Sequence, residues 1–295
     1  MRKLRNLFLG SILALGSFGC SSTSSPSSYN VIVPAGAPTI AFVSQYEDIT
    51  ANGKLDIVDG PDMLQAEFVK ESSEYDIIVA PINLGCALIE KEQTDYKLAG
   101  VLTWGNLYYV GTSKDDLNST GELALFGEGA VPGKIVELES IQTTLTPVYY
   151  SSATSVQQQL LAGNAKVGLL AEPMATATIE KGKEIGVDFK IITDLQEKYP
   201  GASGYPQAAV FVKDGTNVVP VLDELSAFNN NGYPELATYL EEITVDALKL
   251  PAAGLVVSSI ENQNITYKPA SDVQDEISNF LAIFNISFDE SMIVK

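Results

Sequence analysis

The chain has 295 residues, of which 45% are hydrophobic and 19% charged, enough apolar material for a packed core and too much for disorder along most of its length. It carries 18 Lys plus Arg against 37 Asp plus Glu, a formal net charge of −19, and it contains no histidine. That balance excludes nucleic acid as a partner, which needs clustered cations to displace phosphate counterions, and it removes Ser-His and Cys-His pairs and histidine metal sites from consideration.

Residues 1–19 read as a secretory leader. Arg2, Lys3 and Arg5 form a basic start, and Leu7 to Phe18 is apolar. Roughly twelve such residues make about 18 Å of helix, too short to span a bilayer core, so a cleaved signal is expected. It ends at Ser17-Phe18-Gly19-Cys20, which resembles the bacterial lipobox, although Ser17 stands where that pattern usually has leucine. The resemblance implies that Cys20 carries a lipid. Residues 20–29, rich in serine, then form a flexible tether. The other cysteine, Cys86, lies in an apolar run and reads as a packing residue.

Beyond the tether, short apolar strands alternate with amphipathic helices, an α/β pattern. Val31 to Pro34 and Asp56 to Asp59 are expected strands, with a helix over Thr39 to Val43 between them. Gly60 and Pro61 open a helix bearing Leu64 and Phe68, and Asp76 to Ala80 reads as a strand buried on both faces. Leu98 to Thr112 is extended, interrupted at Trp104-Gly105-Asn106. Leu123 to Phe126 is a strand that runs into the loop Gly127 to Gly133, and Val148 to Tyr150 is another. Thr154 or Ser155 is expected to cap a helix with Val156, Leu160 and Leu161, stopped by Gly163. Val167 to Ala171 is a strand that turns at Glu172-Pro173 into a helix, and Ala208 to Val212 is the last expected strand. Pro220 and Pro234 open helices, and Ser271 to Gln274 reads as a capping box before a helix whose apolar face holds Val273, Ile277, Phe280, Leu281 and Phe284. The strand-proline-helix segments Asp76 to Glu90 and Val167 to Glu180 look like equivalent parts of two similar lobes.

Several segments in this order resemble the solute-binding proteins of ABC importers, the nitrate/sulfonate/taurine and thiamine-precursor (NMT1-like) group. They are Asp76 to Asn83, Gly127 to Pro132, Gln159 to Asn164, Gly168 to Pro173, Leu250 to Ala253 and Asn264 to Ser271. The resemblance implies an α/β, type II periplasmic-binding-protein fold, with two similar lobes and a hinge. Lobe one would be 30–113 plus 213–295 and lobe two 114–212. It also implies a monomer without cofactor or catalytic residues, held at the membrane by its lipid and delivering a small-molecule ligand to an ABC permease. Projected onto this chain, the cleft loops place Gly36, Thr39, Asn83, Trp104, Gly127, Gly129, Glu172 and Tyr205 at the ligand. Apart from Thr39, each has a plainer reading: the glycines as turns, Trp104 as a core aromatic, Glu172 as a helix-start carboxylate, Asn83 as a cap, and Tyr205 as a loop aromatic resting on its lobe.

Arg2 and Arg5 are the arginines of the chain, and both fall in the leader. An arginine clamp on a carboxylate, sulfonate or phosphate is thereby disfavoured, and carboxylates with 13 tyrosines favour a neutral or cationic ligand such as a thiamine-type aminopyrimidine. A sulfonate or nitrate ligand, and a sensor acting on a membrane receptor, are the alternatives of the same fold.

Overall fold

The computed structural model describes residues 28–197, 199, 204–228, 233–243 and 245–295. The expected lipid site at Cys20 and most of the tether lie outside the described residues. No helix among the described residues is long and apolar enough to cross a membrane.

The chain first lays down β1 (Asn30–Pro34), α1 (Ala37–Ile40), α2 (Tyr46–Asn52), β2 (Lys54–Val58), α3 (Pro61–Phe68), β3 (Ile77–Pro81), α4 (Ile82–Glu90) and β4 (Tyr96–Thr103). It then crosses to β5 (Leu107–Gly111), β6 (Glu122–Phe126), α5 (Val131–Glu139), β7 (Thr146–Tyr150), α6 (Ala153–Leu161), β8 (Ala165–Ala171), α7 (Met174–Glu184) and β9 (Lys190–Asp194). A second crossing returns it to β10 (Ala208–Lys213), α8 (Val219–Ala227), α9 (Tyr233–Glu242), α10 (Ala253–Ser258), β11 (Ile265–Pro269) and α11 (Gln274–Ala282).

Among the described residues the strands form two sheets, β11-β4-β10-β3-β1-β2 and β7-β6-β8-β5-β9. The run β2-β1-β3-β10-β4 of the first matches β7-β6-β8-β5-β9 of the second place for place. In both, three parallel strands are followed by one antiparallel strand, β10 or β5, which enters directly from a crossing. The likeness between Asp76 to Glu90 and Val167 to Glu180 is thereby explained: β3 and β8 hold the same position, each feeding a helix on its sheet. Both are buried almost throughout, as their unbroken apolar sequences require of central strands.

The sheets move the first crossing from where the sequence put it. The expected boundary at 113/114 leaves Leu107 to Gly111 in lobe one, yet β5 pairs with β8 and β9 of the second sheet. The chain changes sheets at 104–106 and returns between Asp194 and Ala208. The reason is geometric: Gly105 takes φ +80°, a turn open to glycine, and one long apolar stretch is broken into strands of different sheets. Neither crossing is an apolar gap. A single buried cluster runs from Phe68 and Phe211 through Trp104, Tyr205 and Phe280 to Tyr109 and Leu125 of the second sheet.

Local details also differ from expectation. Ser152, not Thr154 or Ser155, caps α6, its hydroxyl accepting from the Ser155 N–H at 3.2 Å. The capping box at Ser271 does not form, because 270–272 is a separate 3-10 turn and the Ser271 hydroxyl donates to Asp272. Gly85 sits inside α4 and faces the core, where a Cβ would stand 2.2 Å from the Phe211 ring. Gly85→Ala is therefore expected to cost about 1–3 kcal/mol by overpacking, read as a lower denaturant midpoint at unchanged m.

Candidate functional site

The registers show where the functional loops meet. In the first sheet Ala208, at the start of β10, lies opposite both Pro81 and Thr103, and Thr103 lies opposite Ile265. The carboxyl ends of β3 and β4 thus share an edge with the amino ends of β10 and β11. In the second sheet Leu107 lies opposite Ala171 and Tyr108 opposite Asp194, which gathers the carboxyl ends of β8 and β9 at the start of β5. Because β4 leads into β5 through three residues, these two edges face each other across the crossings. That is the place where open α/β sheets bind ligands.

The crossings are stitched by side-chain amides. Gln196 donates to the Leu107 carbonyl at 3.1 Å and accepts from the Leu107 N–H at 2.8 Å and from the Tyr205 hydroxyl at 3.1 Å. Gln207 accepts from the Asn106 N–H through Oε1 at 3.1 Å, while its carbonyl accepts from the Ile82 N–H at 3.0 Å. Asn106 and Glu172 are paired by the Glu172 N–H to the Asn106 carbonyl at 3.1 Å and Asn106 Nδ2 to the Glu172 carbonyl at 3.3 Å. From the C-terminal part, Asn264 donates to the Gly105 carbonyl at 2.7 Å, and the Asn262 carbonyl accepts from the Tyr108 hydroxyl at 2.6 Å. Sequence reading missed Asn106, Gln196 and Gln207 as site residues. Their legible signal was amide side chains beside glycine and proline at the breaks between apolar runs.

The residues named from sequence fall into two groups. Gly36, at φ +104°, has open space where a Cβ would project, and Gly129, at φ +74°, is exposed with the same freedom. Asn83 lies in the first turn of α4 with a buried Oδ1 that has no hydrogen-bond partner. Gly36, Asn83 and Gly129 follow the carboxyl ends of β1, β3 and β6 in turn. Thr39 is buried, its hydroxyl donating to the Pro34 carbonyl at 3.0 Å, so it fastens the β1–α1 turn. Gly127, at φ +71°, lies against Pro132, and its carbonyl accepts from the Ala130 and Gly133 N–H groups in the turn that starts α5. Trp104 and Tyr205 are buried in the crossings. The Trp104 indole donates to the Thr266 carbonyl at 2.8 Å and carries the Lys268 ammonium 4.4 Å from its ring centroid, while Tyr205 stacks on Phe280 at 5.7 Å. Their plainer readings as packed aromatics fit this geometry, because their faces are already occupied.

Glu172 is 2% exposed and precedes the cis Glu172–Pro173 bond. Its carboxylate accepts from the Thr176 N–H at 3.0 Å and the Thr176 hydroxyl at 2.8 Å, which caps α7 from a buried position. Burial holds this carboxyl above the ordinary carboxylate range, against the lowering pull of Thr176 and the Asn262 side chain. An acid raised in the folded state binds its proton more tightly there than in the unfolded chain. Its contribution is therefore most favourable below about pH 4.3, the unfolded value, and is lost as pH rises through the folded value. Glu172→Gln abolishes that loss, so melts at pH 4 and pH 7.5 should show the variant gaining on the parent at the higher pH. A constant difference would refute the assignment.

Two surface hollows, of about 350 Å³ and 320 Å³, lie elsewhere. The larger is lined by Ala165 and Lys166, the first residues of β8, so it sits at the end of the sheet opposite Glu172. No group of three or more His, Cys, Asp or Glu side chains among the described residues could hold a metal ion. Cys86 is buried in the core, its thiol pushed up by burial.

Two sheets of matching topology, joined by two crossings at their carboxyl edges, define the two-lobed α/β architecture of periplasmic solute-binding proteins. Comparison with solved structures agrees. An ABC transporter structure from Parabacteroides distasonis is 25% identical with a TM-score of 0.75, covering 91% of this chain and 99% of that one. The periplasmic aliphatic sulphonate binding protein of Escherichia coli is 16% identical at a TM-score of 0.62, covering 88% and 87% of the two chains. The alkanesulfonate-binding protein of Xanthomonas axonopodis pv. citri, bound to MOPS, is 15% identical at 0.59, covering 90% and 96%. No family model and no curated protein matches the sequence, so the likeness rests on structure. The resemblance to ABC transporter solute-binding proteins, first read from motifs, thus recurs in the fold.

Proposed function

We propose that this chain is an extracytoplasmic lipoprotein that binds a small organic solute and delivers it to the permease of an ABC importer. The observation that carries this reading is the meeting of both sheets' carboxyl edges at the two crossings, the first only three residues long. Such an arrangement lets two walls close on a guest by hinge motion. The walls would come from residues 30–103 with 208–295 and from 107–194. The leader and Cys20 supply the anchor, which keeps the protein beside its permease. Binding and release need no catalytic group, in keeping with the missing histidine.

A thermal-shift screen of small metabolites on the mature protein tests the reading. A ligand at ~100-fold over its dissociation constant should add about 2.7 kcal/mol of stability. Silence across a broad screen would count against solute binding. For the anchor, Cys20→Ala should release the protein from the membrane fraction and abolish labelling by a radioactive fatty acid.

A further inference from the structure

Asn106 is 3% exposed and sits at the centre of the first crossing. Its N–H is bonded to Gln207, its carbonyl to the Glu172 N–H, and its Nδ2 to the Glu172 carbonyl. Only Oδ1 is buried without a partner. The orientation of the amide is set, since turning it over would push Oδ1 against the Glu172 carbonyl oxygen. Asn83, in the first turn of α4, also buries an unpartnered Oδ1. Gln207 joins the two places, because it accepts from Asn106 through its side chain and from Ile82, the neighbour of Asn83, through its carbonyl. A buried acceptor with no donor costs about 1–3 kcal/mol, and each such group in a native fold calls for an explanation.

We infer that the solute is recognised as a hydrogen-bond donor: an uncharged or cationic group bearing N–H or O–H bonds lodges against Asn106 Oδ1 and Asn83 Oδ1. This deepens the solute-binding reading and rests on it. The surroundings agree in sign. Asn106 faces the backbone carbonyl of Glu172, and the described residues contain no arginine. An oxyanion without donors would meet carbonyl oxygens here, which repel it. The first-turn N–H groups of α4 are the feature that would favour an anion, so the experiment must allow that outcome.

The screen is divided into donor-bearing probes, such as ethanolamine, putrescine, adenine and 4-aminopyrimidine derivatives, and acceptor-only anions, methanesulfonate and nitrate. Affinities are then measured by calorimetry for the parent, Asn106→Leu, Asn106→Asp and Asn83→Leu. The expected result is binding by a donor probe, weakened at least tenfold in Asn106→Leu and in Asn83→Leu and kept better by Asn106→Asp, which retains the acceptor. If Asn106→Leu does not fold, Asn83→Leu in a first helical turn carries the measurement. Binding by methanesulfonate or nitrate but by no donor overturns this inference and leaves solute binding standing. A donor probe whose affinity is unchanged in the leucine variants overturns it too. Binding by neither class counts against both readings.

Discussion

Replacing Gln196 with alanine is expected to lower the unfolding free energy by about 3 kcal/mol, since buried groups that lose a partner each cost about 1–3 kcal/mol. The side chain satisfies the Leu107 N–H and the Tyr205 hydroxyl at once, and it also donates to the Leu107 carbonyl and to Asp194. The Leu107 carbonyl keeps the Leu195 N–H at 3.2 Å, so the orphaned groups are the Leu107 N–H and the phenol. Their position at the mouth of β5 matters as much as their number, because they fix where the first crossing enters the second sheet. Urea denaturation should show a lower midpoint at unchanged slope, the mark of a stability change without a change in exposed surface. A loss below about 0.5 kcal/mol, the range of surface substitutions, would show that the amide does not staple the crossings.

Gly204→Ala should be as damaging for a different reason. Gly204 holds φ +80°, and a Cβ there would stand 2.2 Å from the Trp104 carbonyl oxygen, a backbone atom of the opposite crossing. Backbone strain adds to a clash that no side-chain rotation relieves, and we expect a loss of about 3 kcal/mol in total. Displacing residues 204–207 would also move Gln207 off the Asn106 N–H, so ligand affinity should fall with stability. Gly129→Ala is the comparison. Its φ of +74° is similar, but nothing lies within 4 Å of the added atom, so only the left-handed backbone penalty of about 1 kcal/mol remains. Equal losses in the two variants would mean that the crossings do not touch as closely as the geometry requires.

The architecture was legible where burial writes itself into composition. The unbroken apolar runs of β1, β3, β8 and β10 could only be central strands, and the turn residues between them marked strand-to-helix loops. Weaker elements escaped. β9 and β11 carry charged or proline ends, Lys190 and Asp194 in one and Lys268 and Pro269 in the other. They lie at the edges of their sheets, where one unpaired side relaxes the demand for apolar residues. The loop positions of Gly36 and Gly129, and of Asn83 at the start of its helix, were legible from the turn residues around them. The occupancy of Trp104 and Tyr205 was not, because Lys268, Thr266 and Phe280 come from the far end of the chain.

By itself the sequence determined the class of the protein: alternating strands and helices, an acidic chain without histidine, and two strand-proline-helix units of one kind. These follow from local periodicity and residue chemistry, which need no long-range contact. Tertiary structure decided which strand belongs to which sheet and which polar atoms at the junction are already spent. A five-residue strand such as β5 can pair in either sheet on its own pattern. Its choice depends on the turn at Gly105 and on partners 58 or more residues away, β8 and β9.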